Sequence, residues 1–393
     1  MIKSIYHSFF NKFRDANFEV CYWDGDTIAY GQGEPVAKIV FKKPLAVNFE
    51  TDNIVLAFGE AYMDGVVDFE GSMEEIINIV EKNKENITDG ITGKIVSLIG
   101  SIIGNSKARQ KQNIQHHYDL GNDFFSLWLD ETMSYSCAYF GRPGDTLHQA
   151  QLRKIDHTLK KLQLKPGERL LDIGCGWGWL IIKAARDYGV RALGITLSEE
   201  QYSAVRERVK DLGLSHLVDV RLANYLDLAG EDYSFEKIVS VGMFEHVGKE
   251  NLAKYMEAVD KMLLPGGLSL LHSIMGTDEY PINPWIDKYI FPGGYIPSLR
   301  ETIWLLSGHN FHLLHAESLR LHYAMTLDRW YENFQKHISV VKEKFGERFV
   351  RMWGLYLSSC ASSFRVSGLN VYQLLFSKGL NNKLPLTLEH IYQ

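Results

Sequence analysis

Cysteine is scarce in these 393 residues: four stand at 21, 137, 175 and 360. No two form a Cys-x-x-Cys pair, so neither a disulfide framework nor a zinc site is indicated. No apolar run is long enough to span a bilayer. The N-terminus alternates apolar and polar residues and lacks both a continuous apolar core and a small-residue cleavage site. A secretory signal is therefore not expected, and the cytosol is the expected compartment. A basic excess is missing too. The net charge is −6, which leaves no reason to expect a nucleic-acid partner. Internal repeats and low-complexity tracts are absent.

Hydrophobic residues make up 46% of the chain, enough for a sizeable core, and the length suggests two domains. Ile2, Ile5, Tyr6, Phe9, Phe10 and Phe13 recur at helical spacing over 1–14. Residues 18–58 read as strands punctuated by glycines and acids. A helix is expected over 72–83, with Ser72 as cap and Glu75 three positions on. Together these outline a small α+β domain over 1–88. A linker over 89–113 follows. The stretch 90–115 carries Lys94, Lys107, Arg109 and Lys111, no acid, and an apolar band from Ile91 to Ile103. Such a segment either lies on an anionic lipid surface or packs as a helix between domains.

The region 114–393 has another rhythm. Strands are expected at 168–173, 191–196, 218–224, 237–243 and 268–274, with helices from 179, from Ser198 and over 250–263. Alternating strands and helices specify an α/β fold with a doubly wound, mostly parallel sheet, whose ligands sit beyond the C-terminal strand ends.

The stretch LDIGCGWG (171–178) joins such a strand to a helix. Asp172 precedes Gly174, Gly176 and Gly178, and a side chain at Gly174 or Gly176 would keep a ligand from the backbone. The dinucleotide spacing G-x-G-x-x-G is not met, because Trp179 occupies the last position. A nucleoside-type cofactor is expected here. In GITLSEEQ (194–201), Thr196 stands where many adenosine-binding sheets place an acid, and Ser198 with Gln201 forms a capping box.

Several longer stretches occur in order: HHYDLGNDFF (116–125), YSCAYF (135–140), LDIGCGWG, GITLSEEQ, VSVGMFEHVG (239–248), NPWIDKYIFPGG (283–294) and CASSFR (360–365). With them, over 113–376, the chain resembles the cyclopropane-fatty-acyl-phospholipid synthase family. GEAYMDG (59–65) is similar to that family's smaller domain, which the mycolic-acid branch lacks. The resemblance implies a class I S-adenosylmethionine-dependent methyltransferase fold. It implies cofactor contacts at Tyr135, Ser136, Asp172, Gly174, Gly176, Gly178, Thr196, Gln201, Asn224, Tyr225 and Val241. Asn224-Tyr225 departs from the family's usual residues after the third strand, and Trp179 replaces a common glycine.

The implied reaction adds a methylene carbon to a cis alkene in a phospholipid acyl chain. An alkene is a weak nucleophile, so it must be held in line with the sulfonium methyl and away from water. Attack leaves a carbocation, and ring closure then requires a base in an apolar site. The resemblance implies bicarbonate as that base, held by Cys137, Glu245, His272, Ile274 and Tyr323. Glu245 would exchange a proton with it, His272 and Tyr323 would donate hydrogen bonds, and Cys137 and Ile274 would supply backbone donors and shape. Taken alone, Glu245 also reads as a helix-entry residue, His272 and Cys137 as core, and Tyr323 as packing. Trp285, Tyr289, Phe291, Tyr295, Trp304, Trp330, Tyr331 and Phe334 read as an acyl-chain tunnel or as core.

No metal is expected. Peripheral contact with the inner membrane surface and a homodimer are, and the N-terminal domain would present lipid or make dimer contacts. The alternatives are a related acyl-chain or small-molecule S-adenosylmethionine methyltransferase, and a non-catalytic lipid-binding protein that keeps the fold.

Overall fold

The computed structural model describes residues 2–45, 49, 53–88, 120–279 and 282–392. The expected linker 89–113, the basic stretch 90–115 and the first residues of the 116–125 motif lie outside them. The chain divides into two compact units. One comprises Met1–Ile103, Pro281–Pro292 and Leu327–Gly368; the other comprises Gly104–Tyr280, Gly293–Thr326 and Leu369–Gln393. The segments 281–292 and 327–368, which sequence rhythm alone had grouped with the α/β part, thus fall with the N-terminal residues.

The first unit holds a four-stranded sheet in the order β2-β1-β3-β4. Its strands are β1 (Phe18–Cys21), β2 (Thr27–Tyr30), β3 (Ala37–Phe41) and β4 (Val67–Gly71). The strand-like reading of 18–58 ends early, because Ile54–Met63 is a helix with Asn53 as its cap. The helix expected over 72–83 runs over Met73–Thr88, and the Ser72 hydroxyl accepts the Glu75 N–H at 3.1 Å. Helix Ile2–Phe10 buries Tyr6, Phe9 and Phe10 in an aromatic core. The Tyr6 ring meets those of Phe41 and Phe49 edge-on, both at 5.0 Å between centroids.

Within this unit GEAYMDG acquires a physical role. A Cβ at Gly59 would lie 2.3 Å from Trp285, so only glycine lets that indole lie against the helix. Trp285 Nε1 donates to Met63 Sδ at 3.2 Å, and Glu60 accepts from Lys288 and the Tyr289 hydroxyl, each at 2.6 Å. The Arg351 guanidinium lies 4.1 Å over the Tyr62 ring and also binds Asp68.

The second unit is built on a seven-stranded sheet ordered β10-β11-β9-β8-β5-β6-β7. The strands are β5 (Arg169–Ile173), β6 (Arg191–Thr196), β7 (Val218–Leu222), β8 (Phe235–Val241), β9 (Leu263–Met275), β10 (Phe311–Ser318) and β11 (Asn370–Lys378). β7, β6, β5, β8 and β9 are parallel, whereas β11 is antiparallel to both neighbours. Both faces of the sheet are covered. Leu170 and Leu270 join one core cluster, and their chain neighbours Leu171 and Leu271 join the other. Burial on two faces makes these strands read as nearly continuous apolar runs. β6 and β8 flank β5, so the winding reverses between β5 and β8, and the cavity described next opens there.

Candidate cofactor and anion site

β5 ends at Ile173, and the chain turns through three glycines into helix Trp179–Tyr188. The Ile195 carbonyl accepts the N–H groups of Gly174 and Cys175, each at 3.0 Å, which pins the turn to β6. Gly174 has φ +85°, and a Cβ there would sit 3.0 Å from Met243. Packing against Met243 is one reason for that position to stay small, and Gly174 also lines the cavity. Gly176 has φ +54° with open space where a Cβ would project, so it is the residue that keeps the cavity clear.

Tyr135, Ser136, Asp172, Gly174, Gly176, Gly178, Thr196, Gln201, Asn224, Tyr225 and Val241 line this one cavity. Thr196 Oγ1 donates to Gln201 Oε1 at 2.7 Å and accepts the Ser198 N–H at 3.1 Å. The Ser198 hydroxyl caps the helix Glu199–Asp211 by accepting the Gln201 N–H at 3.3 Å. The reciprocal half of the expected capping box is not made, because Thr196 takes both the Ser198 N–H and the Gln201 side chain. The expected strand 218–224 stops at Leu222, where Asn224 accepts the Leu226 N–H at 2.9 Å and starts a short helix.

Three buried polar atoms on the cavity wall make no hydrogen bond among the described residues: Asp172 Oδ1, the Tyr225 hydroxyl and Trp179 Nε1. Burial pushes the Asp172 carboxyl up to about 7, opposed by the charge of Lys154. Orphaned polar groups at such a depth point to a polar ligand. An acceptor, a hydroxyl and a ring N–H around a glycine turn suit the ammonium, ribose and base of S-adenosylmethionine.

Lys154 and His246 also line the cavity and were not foreseen. Lys154 Nζ donates to the Ser136 hydroxyl at 2.9 Å. Burial lowers this ammonium to about 8, against the pull of Asp130, Cys137 and Asp172. Gln151 donates to the Ser134 and Ser136 carbonyls at 3.2 and 2.9 Å, so helix Leu147–Leu162 holds the segment that carries Tyr135 and Ser136. Burial lowers the His246 imidazole to about 4 and keeps it neutral beside the cavity. The available signal was the spacing of Gln151, Lys154, Thr158 and Lys161, which in sequence resembles an ordinary solvated helix face.

Of the five residues expected to hold the anion, Glu245 and Ile274 meet beyond the C-terminal end of β8 and on β9, and none of the five is among the residues that line the cavity above. Glu245 Oε1 accepts the Ile274 N–H at 2.6 Å, and its buried Oε2 makes no hydrogen bond among the described residues. Burial pushes this carboxyl up to about 7. His272 precedes Ile274 by two residues on β9, so both point to the same face. Its ring is fully buried, which drives the imidazole well below its usual range, and Nε2 makes no hydrogen bond among the described residues. Cys137 Sγ and the Tyr323 N–H both reach the Leu319 carbonyl, at 3.8 and 3.0 Å. The Leu319 N–H in turn bonds the carbonyl of Val371, the β11 partner of Ile274. Burial raises the Cys137 thiol, so it stays protonated and is no nucleophile. Of the expected tunnel aromatics, Trp304 is 77% exposed. Tyr295 is buried, and its N–H reaches the Glu245 carbonyl at 2.8 Å.

Comparison with known proteins places these features in context. The family model described as mycolic acid cyclopropane synthetase matches residues 105–374, and a domain of unknown function, DUF7884, matches residues 5–92. A probable fatty acid methyltransferase of Pseudomonas putida is 37% identical over 94% of this chain and 95% of its own. The cyclopropane-fatty-acyl-phospholipid synthase of Escherichia coli (strain K12) is 39% identical over 84% of this chain and 85% of its own. Among solved structures, the mycolic acid cyclopropane synthase CmaA1 complexed with SAH and CTAB is 36% identical. It aligns with a TM-score of 0.64 over 68% of this chain and 98% of its own.

Proposed function

Because the chain belongs to the mycolic acid cyclopropane synthetase family, we propose that it closes a cyclopropane ring on a cis double bond of an unsaturated phospholipid acyl chain, using S-adenosylmethionine. Membership makes it an S-adenosylmethionine-dependent methyltransferase of lipid metabolism; the phospholipid substrate and the ring are the proposed part. Likeness to the E. coli phospholipid synthase supports the substrate. One observation carries the chemistry: the buried Glu245 carboxyl, near neutrality in its proton affinity, with Oε2 uncommitted three residues beyond the cavity-lining Gly242.

The sulfonium of S-adenosylmethionine supplies an electrophilic methyl carbon. Gly176 would leave room for the cofactor, Asp172 would accept from its ammonium, and Thr196 with Gln201 would hold its ribose. Neutral His246 and the protonated thiol of Cys137 add no competing nucleophilic anion. Cys137, Glu245, His272, Ile274 and Tyr323 would hold bicarbonate, which would supply a base for the proton lost on ring closure. Glu245 can accept that proton at Oε2, since its affinity lies near the working pH. Burial of this corner excludes water from the carbocation.

Peripheral contact with the inner membrane surface and a homodimer belong to the same proposal, as does lipid presentation by the N-terminal domain. No helix among the described residues is long and apolar enough to cross a membrane. Vesicle flotation and light scattering of the intact chain test these points. Deleting 1–88 would strip Trp285 and Arg351 of their partners, so truncation is a poor test.

The reaction is tested by mixing purified protein, S-adenosylmethionine and vesicles of cis-monounsaturated phospholipid. Acyl chains heavier by one CH₂ are expected. Unchanged chains, with methyl transfer only to soluble amines or hydroxyls, would overturn the reading.

A further inference from the structure

Gln151, Lys154, Thr158 and Lys161 form a buried polar stripe along helix Leu147–Leu162. Two of them meet Gln373, which stands on β11 opposite His272 on β9. Gln373 Oε1 accepts from Lys161 Nζ at 2.7 Å. The same ammonium donates to Glu317 Oε2 at 2.5 Å, and that oxygen also meets His157 Nε2 at 2.6 Å. Burial alone would raise the Glu317 carboxyl, but the His157 hydrogen bond and the Lys161 charge pull it down to about 2. Glu317 is therefore an anion at any working pH, and its charge opposes the burial that lowers the Lys161 ammonium.

An ammonium only donates, so the amide oxygen of Gln373 must face Lys161 and the NH₂ must face away. One amide hydrogen reaches Thr158 Oγ1 at 3.3 Å. The threonine's own hydrogen is committed to the Lys154 carbonyl at 2.8 Å, so that hydroxyl can only accept here. The other amide hydrogen reaches His272 Nδ1 at 3.1 Å. A ring nitrogen that accepts carries no proton. Neutral His272 thus holds its proton on Nε2, the ring nitrogen that is buried and makes no hydrogen bond among the described residues.

We propose that Gln373, oriented by Lys161 and Thr158, is a positioning residue that locks His272 as the Nε2–H tautomer, so that this ring can only donate to whatever occupies the reaction site. The locking stands on the network alone; its use in holding the anion rests on the function proposed above. The other tautomer would present a lone pair there and repel an anion.

Nitrogen-15 NMR of histidine-labelled intact protein, without cofactor or lipid, reads the tautomer directly. The His272 signals are assigned by their loss in His272→Gln. The wild type is expected to show a protonated Nε2 and a bare Nδ1. Gln373→Glu places an acceptor against Nδ1 and is expected to draw the proton there. Its turnover should fall roughly tenfold or more, with cofactor affinity kept within about twofold. A protonated Nδ1 in the wild type, which needs no variant to fold, overturns the proposal; so does a folded Gln373→Glu that keeps its proton on Nε2. Failure of the lipid assay with the expected tautomer present would instead remove the proposed reaction and leave the positioning role standing.

Discussion

Glu245 accepts the Ile274 N–H through one carboxylate oxygen at 2.6 Å and holds the other buried, without a hydrogen bond among the described residues. One oxygen thereby orients the group and the other is free for proton exchange. Glu245→Gln keeps the size of the side chain and lets its amide oxygen accept from Ile274. It cannot take up a proton. Turnover is expected to fall roughly 10²- to 10⁴-fold, while S-adenosylmethionine binding by calorimetry stays unchanged. Full activity in this variant would contradict the assigned role.

The same carboxyl makes stability depend on pH in an identifiable direction. Its proton affinity rises from the ordinary 4.5 to about 7 on burial. The folded state therefore binds more protons than the unfolded state between those values, and stability falls as pH rises through them. The loss assigned to this group is on the order of 3 kcal/mol. Urea unfolding of wild type and Glu245→Gln at pH 5 and pH 8 measures it. The wild type should lose stability relative to the variant at the higher pH, and an unchanged difference would refute the assignment. Asp172, raised to about 7 by burial, adds a slope of the same sign to both proteins.

The glycine turn supports a contrast between neighbours. Gly174→Ala sets a methyl 3.0 Å from Met243 at φ +85° and is expected to cost about 2 kcal/mol of stability. Gly176→Ala adopts a left-handed conformation at φ +54°, where alanine is tolerated, and its methyl enters open space. It should cost only about 1 kcal/mol yet weaken cofactor binding roughly tenfold. Thermal unfolding and calorimetry on the two variants separate stability from affinity.

The parallel core of the sheet was legible because strands buried on both faces are apolar without interruption, as in RLLDI and RALGIT. The glycine turn was legible because positive φ leaves few choices of residue. β10 and β11 escaped notice. A long helical stretch that belongs to the other unit separates them, and this breaks the strand–helix rhythm. Lys154 and Lys161 escaped notice for another reason. Sequence cannot distinguish a lysine facing water from one buried against Ser136 or Glu317. The residues that line the cavity were reached through motif resemblance; spacing alone would have yielded only the glycines and Thr196. Trp304 shows the opposite error, since an aromatic beside family motifs stands mostly in solvent.

The central claim is that a proton leaves the newly attached carbon as a ring closes beside Glu245. The most direct measurement uses S-adenosylmethionine with a trideuterated methyl group and phospholipid vesicles, followed by NMR and mass spectrometry of the acyl chains. The account predicts a saturated ring carbon that retains two of the three deuterons, with no vinyl signal. A methyl branch that keeps all three, or an exocyclic alkene, would contradict it.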